Sequence, residues 1–267
     1  MDPTFTARGR SAVMGILNLT PDSFWDGGRH AELEAAIARA HQMIDEGADL
    51  IDVGGESTRP GADEIDTDEE IARTAPVIER IASLGVPVSI DTRKATVAKA
   101  ALDAGASLVN DVSGGTFDPA MLPLVADRRV RIVLMHMRGT PKTMDAQTRY
   151  GDVMDDVRAE LAERVRDAKH AGVDESCVLL DPGIGFAKTN DQSVELVRRI
   201  DELRSDGFPL VVGPSRKRFI GGEASDRLEG TLAVCAWLAV HRVDIVRVHD
   251  VAEVRRVVDM IGRIGTA

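Results

Sequence analysis

Arg247 and His249 stand two residues apart in the run IVRVHD (245–250), so in a strand their side chains leave from one face. An arginine turned into a protein interior is costly unless it meets an anion, and the pair reads as a grip for one, such as a diphosphate. Asp181 ends the apolar part of LLDPGIGFAKT (179–189), just before a proline and two glycines. It reads equally as the cap of a turn or as an ionised acceptor aimed at a ligand. GPSRKRF (213–219) sets Ser215, Arg216, Lys217 and Arg218 directly after another apolar run, either as a solvated basic surface or as a loop that holds an anionic or electron-rich ligand. Asn18 closes GILN (15–18) and is followed by a polar loop carrying Phe24, Trp25 and Asp26, while GGESTRPGA (54–62) carries Thr58, Arg59 and Pro60.

Other chemistries are excluded or weakened by the same sequence. Of the six histidines, His30, His41, His170 and His241 fall in expected loops or helices without ligand spacing, so a metal site built from histidine alone is not indicated. GIGFAK lacks the third glycine of a dinucleotide fingerprint, and Lys188 within it reads equally as a surface lysine. Cys177 and Cys235 each sit in an apolar run, as buried thiols do. A net charge of −11 with no basic stripe argues against nucleic acid as a partner. No segment approaches a membrane span, and residues 1–12 lack a signal-peptide apolar stretch, which places the expected protein in the cytoplasm with a loose N-terminal tail over 1–12.

The elements that must position these residues recur along the chain. VMGILN (13–18), DLIDVGG (49–55), VPVSID (86–91), SLVND (107–111), RIVLMHM (131–137), CVLLD (177–181), PLVVG (209–213) and DIVRVH (244–249) are short and nearly continuous in apolar residues, as strands buried on both faces are. Helical patterns lie between them, several ending at glycine. The alternation predicts a single-domain (β/α)8 TIM barrel over residues 13–267, with a doubly wound open sheet as the other topology compatible with it. In a barrel the active site lies at the C-terminal strand ends. Those ends read Asn18, Asp52, Asp91, Asn110 with Asp111, His136, Asp181, Ser215 to Lys217, and Arg247 with His249. Closure would bring the last strand beside the first, so that Asn18 could help Arg247 and His249 hold a diphosphate and its magnesium ion.

As a set, MGILNLTPDSFWDGG, DVGGESTRPGA, SIDTRK, LVNDVSGG, LMHMRGTPKTM, DPGIGFAKT, GPSRKRFIG and VRVHDV closely resemble the dihydropteroate synthases, in family order from about residue 13 to the end. The resemblance implies a TIM barrel, a homodimer, and a transferase that joins 6-hydroxymethyl-7,8-dihydropterin diphosphate to para-aminobenzoate with release of pyrophosphate. It assigns Asp91, Asn110, Met135, Asp181, Phe186 and Lys217 to the pterin. Asn18, Thr58, Arg59, Arg247 and His249 go to the diphosphate with Mg²⁺, of which Asn18 is the protein ligand. Phe24, Asp26, Pro60, Ser215 and the Lys217 stem go to para-aminobenzoate. Asn18, Lys217, Arg247 and His249 would act on the reaction itself. Trp25, where the family more often has a small residue, and the short segment after Gly222 depart from the pattern. Two other readings share the scaffold: a catalytically silent pterin-binding paralogue, and a methyltetrahydrofolate methyltransferase-like domain, whose chemistry does not call for the Asn18 loop or the Arg247/His249 pair.

Overall fold

The computed structural model describes residues 10–20, 28–59 and 61–265. The eight apolar runs form strands β1 (Ala12–Asn18), β2 (Leu50–Gly54), β3 (Val88–Asp91), β4 (Leu108–Asp111), β5 (Arg131–Met135), β6 (Val178–Asp181), β7 (Val211–Val212) and β8 (Ile245–Val248). All paired neighbours are parallel, in the order β6-β5-β4-β3-β2-β1-β8-β7. Met14 of β1 stands beside Arg247 of β8, and a parallel bridge between Leu180 and Leu210 joins β6 to the approach of β7. Pairing of first strand with last, together with this bridge between β6 and the approach of β7, closes the ring, so the fold is the single-domain TIM barrel and not the doubly wound sheet.

The crossovers are α1 (Gly28–Asp45), α2 (Thr67–Ile81), α3 (Ala95–Asp103), α4 (Met121–Arg128), α5 (Val153–His170), α6 (Asn190–Arg198) with α7 (Ile200–Arg204), and α8 (Leu228–Val240), with α9 (Val251–Gly265) after the last strand. Side-chain caps fix where α2, α5 and α6 begin. Asp152 accepts from Met154 N and Asp155 N to start α5, and Thr189 and Gln192 form a reciprocal capping box at α6. The short segment after Gly222 still leads into a helix of 13 residues, α8, with Arg227 donating to Gly222 O at 2.6 Å and Arg216 O at 2.9 Å.

Alternation sorts the strand residues into two cores. Ala12, Met14, Leu50, Leu108, Val133, Leu179, Val211 and Ile245 fill the barrel interior, while the opposite parity, including Val13, Ile51, Val109 and Val246, packs against the helices. Two residues beyond that interior plug, on the same inward face, come Asp52, Asn110, Met135, Asp181, Gly213 and Arg247. An apolar floor beneath a polar mouth is thus written into β2, β4, β6 and β8.

The tail expected over residues 1–12 meets the described chain only at Arg10–Ala12, and these three residues belong to the barrel. Arg10 binds Asp49 through two hydrogen bonds of 2.8 and 3.1 Å, Ser11 Oγ donates to Val243 O at 2.6 Å, and Ala12 opens β1. Cys177 and Cys235 are buried free thiols. Among the described residues no helix is long and apolar enough to cross a membrane.

Candidate active site

The mouth is organised around Arg247. Its Nε donates to Asp52 Oδ2 at 2.6 Å and its Nη2 to Asp91 Oδ2 at 2.7 Å; Asn110 Nδ2 reaches the same Asp52 oxygen at 2.9 Å. The interior arginine does meet anions, and they are carboxylates of β2 and β3. Each carboxylate keeps a buried oxygen, Asp52 Oδ1 and Asp91 Oδ1, with no hydrogen-bond partner among the described residues, and Ser89 Oγ beneath them is likewise unpaired among them. Such acceptors are expensive to bury and mark a place where a ligand's donors are wanted. Burial, reinforced by Asp52, Glu70 and Asp111 and opposed by Arg247, pushes Asp91 up to about 7.

Beside this centre the loop after β6 folds over the mouth. Asp181 Oδ1 accepts from Gly183 N at 2.7 Å, so the carboxylate does cap the turn. Its other oxygen accepts no hydrogen bond from the described residues, which leaves the ligand-facing role open alongside the cap. Gly183 has φ +65°, and a Cβ there would lie 2.0 Å from His136 O and 3.4 Å from Met135. No residue with a side chain fits. Lys217 Nζ donates to Ile184 O and lies 4.6 Å from the centroid of the Phe186 ring. Burial pushes Lys217 down to about 8 against the pull of Asp181. Asp91, Asn110, Met135, Asp181, Phe186 and Lys217 are thereby drawn into one contiguous wall.

At the ends of β7 and β8, Ser215 Oγ accepts from His249 N at 3.1 Å and lies 2.9 Å from His249 Nδ1. The arrangement that satisfies both has the hydroxyl donating to Nδ1, which leaves the ring proton on Nε2. Burial, with Arg247 and Arg216 nearby, pushes His249 down to about 4, so the ring is neutral and offers one N–H. Arg59 is exposed and close enough for its charge to act on His249, and Thr58 is half-buried in the same loop. Arg216 turns away to pair with Asp250. Phe24, Asp26 and Pro60, expected at para-aminobenzoate, lie outside the described residues, as does Trp25.

Asn18 faces the mouth across Gly54. A Cβ on Gly54 would stand 3.8 Å from Asn18 Oδ1 and 3.7 Å from Asp91 Oδ2, so glycine there leaves a small cradle edged by oxygens. Among the described residues no group of three His, Cys, Asp or Glu forms a cage for a metal. An amide oxygen beside a carboxylate fits a hard cation that draws most of its ligands from phosphate and water, as Mg²⁺ does.

Three features escaped assignment from sequence. Asp52 was visible only as a strand end, yet it anchors both Arg247 and Asn110; its parity with buried Leu50 was the available signal. Lys188 is buried, not a surface lysine. Behind the loops after β2 and β3, Lys94 Nζ donates to Glu56 Oε2 at 2.8 Å, Glu70 Oε2 at 2.9 Å and Ile65 O at 2.6 Å, and Arg93 donates to Glu56 Oε1 at 2.5 Å. This network fixes the root of the loop that carries Thr58 and Arg59.

The sequence matches the family described as "Pterin binding enzyme" over residues 14–249. It is 48% identical over 263 residues to a dihydropteroate synthase of Synechocystis sp., covering 95% of this chain and 91% of that one. The fold superposes on Xanthomonas albilineans dihydropteroate synthase with 4-aminobenzoic acid at a TM-score of 0.91 and 42% identity, covering 97% of this chain and 94% of that chain. It superposes on the same enzyme in complex with 7,8-dihydropteroate at a TM-score of 0.87 and 39% identity, covering 97% and 95%.

Proposed function

The chain belongs to the pterin-binding enzyme family, within it to the dihydropteroate synthases, and from that premise we propose how its mouth divides the work. The reaction joins 6-hydroxymethyl-7,8-dihydropterin diphosphate to para-aminobenzoate, giving 7,8-dihydropteroate and pyrophosphate. The observation that carries the assignment of residues is the collection of Asp91, Asn110, Asp181, Lys217 and Arg247 around one opening lined with unpaired carboxylate oxygens.

The pterin edge presents an amino group beside a ring N–H. The free oxygen of Asp181 and the unpaired oxygens of Asp52 and Asp91 accept such donors, and Asn110 offers an amide on the same wall. Phe186 covers the flat face of the ring with the Lys217 ammonium beside it, and the Lys217 stem runs on toward the arylamine. An arylamine is nucleophilic at neutral pH without a base, so the barrier lies in loss of diphosphate from the pterin methylene. Arg247, the neutral N–H of His249, Arg59 and Thr58 receive the departing charge. For its alkyl group to meet the amine, the pterin must bind deep and para-aminobenzoate nearer the rim, beside Ser215 and with Phe24, Asp26 and Pro60. Asn18 would hold Mg²⁺ at the diphosphate; bound there, the ion would neutralise charge on the pyrophosphate oxygens.

The partner surface is proposed as a second copy of this chain. Helices α8 and α9 lie together and expose Trp237, Val240, Met260 and Ile264, the last at 65%. A two-fold axis through this face would bury the patch against itself and set Glu253 and Arg256 of one copy beside those of the other. A cytoplasmic setting agrees with the two free, buried thiols.

Pyrophosphate release is the test. It should require both substrates and Mg²⁺, whereas pterin binding without release would mark a silent pterin-binding protein.

A further inference from the structure

Lys188 is 5% exposed, and its ammonium spends all three N–H donors inside the chain. They go to His136 Nδ1 at 2.9 Å, Gly183 O at 3.1 Å and Phe186 O at 3.0 Å. Two of these acceptors are backbone carbonyls of the loop after β6, and the third is the ring that follows β5. Because His136 Nδ1 accepts from the ammonium, the ring proton sits on Nε2, which lies 3.1 Å from Glu160 Oε2. Glu160 is held in turn by Arg138, whose guanidinium lies 3.9 Å over the ring of Tyr150. The Tyr150 hydroxyl returns to the same loop by donating to Ala187 O at 2.9 Å. The backbone closes the circuit, since His136 N donates to Asp181 O at 2.9 Å and the Gly183 Cα packs on His136 O.

We propose that Lys188 is a positioning residue for the pterin, fastening the Gly183–Phe186 loop from behind and so fixing both the Asp181 carboxylate and the Phe186 ring. The inference rests on the reading of Asp181 and Phe186 as pterin contacts. Its physical basis is the number of donors. A protonated amine serves all three acceptors, whereas the neutral amine has one N–H too few and turns a lone pair toward an oxygen or nitrogen. The acids facing Lys188 are Asp181 and Glu160, the cations are Lys217 and Arg138, His136 is neutral, and the Tyr150 ring is 6.0 Å away. Burial among mostly neutral acceptors pushes the ammonium down to about 7, so the grip weakens as pH rises above neutrality.

Calorimetric titration with pterin diphosphate between about pH 6 and 9 tests this on Lys188→Met and Asp181→Asn beside the unaltered protein. Lys188→Met should weaken the pterin about ten- to hundred-fold, leave the KM for para-aminobenzoate within about two-fold, and remove the part of the alkaline decline in pterin affinity that sets in near pH 7, leaving the part due to Lys217 near 8. Unchanged pterin affinity in folded Lys188→Met overturns the proposal, as does equal loss for both substrates with the pH profile intact. Should Lys188→Met not fold, His136→Ala, which removes one of the three acceptors, must lower pterin affinity about ten-fold; unchanged affinity overturns the proposal equally. Pterin affinity unaffected by Asp181→Asn would overturn the pocket reading and this inference with it. Loss at Asp181 with retention at Lys188 overturns the inference alone.

Discussion

Arg247 of β8 donates from Nε to Asp52 Oδ2 of β2 at 2.6 Å, across the inside of the barrel and past β1. The bond gives the guanidinium a fixed edge on a fully buried carboxylate, while its second contact, Nη2 to Asp91 at 2.7 Å, lies on the next strand. An arginine held in this way is already oriented, so in the diphosphate role proposed for it little ordering would be left for the substrate to drive.

Arg247→Ala therefore has two expected effects. Asp52 and Asp91 would be left as buried carboxylates without a cation, lowering unfolding free energy by about 3–5 kcal/mol in urea titrations. Where the variant remains folded, affinity for the pterin diphosphate should fall much further than affinity for the pterin alcohol, because only the former brings an anion. Equal losses for the two ligands would restrict Arg247 to holding the barrel together.

Asp181→Asn keeps an oxygen that can accept from Gly183 N but replaces a charged acceptor with an amide that also donates. Pterin binding should weaken by about 2–3 kcal/mol with the circular dichroism spectrum unchanged. Near-normal binding measured by calorimetry would leave Asp181 as a turn cap only.

Lys94→Met removes the one ammonium that joins Glu56 to Glu70, both buried. Breaking such a network should cost about 3–5 kcal/mol of stability, read as a lower urea midpoint. The loop bearing Thr58 and Arg59 should gain hydrogen exchange before the rest of the barrel does, since Lys94 also holds Ile65 O.

Asp91 supplies a pH dependence whose sign is fixed by its environment. Its carboxyl rises from 3.8 to about 7 through burial, reinforced by Asp52, Glu70 and Asp111. A folded value above the unfolded one gives stability that is full below about pH 4 and is lost as pH climbs through about 7. Asp91→Asn removes this titration, so the stability difference between variant and parent should move in the variant's favour between about pH 4 and pH 8. A difference that stays constant over that range in urea titrations would contradict the buried, raised carboxyl.

What the sequence determined by itself was the set of strands, their inward faces and the residues at their ends. Period two is a local property of the backbone, so Leu50 and Asp52, Leu108 and Asn110, Leu179 and Asp181, or Ile245 and Arg247 share a face wherever their strands are placed. The motifs read together were specific enough to show the family and to propose pterin, diphosphate and arylamine residues. Local spacing could not say whom those residues would touch. Arg247 finds Asp52 and Asp91 at separations of 195 and 156 residues, which depends on β1 pairing with β8 as well as with β2. The sequence left a surface position open for Lys188 because its three acceptors, two of them backbone carbonyls, converge only after the loop turns through Gly183 against His136. Ring closure alone decided which carboxylates were paired, which kept an empty oxygen, and therefore where a ligand's donors are needed.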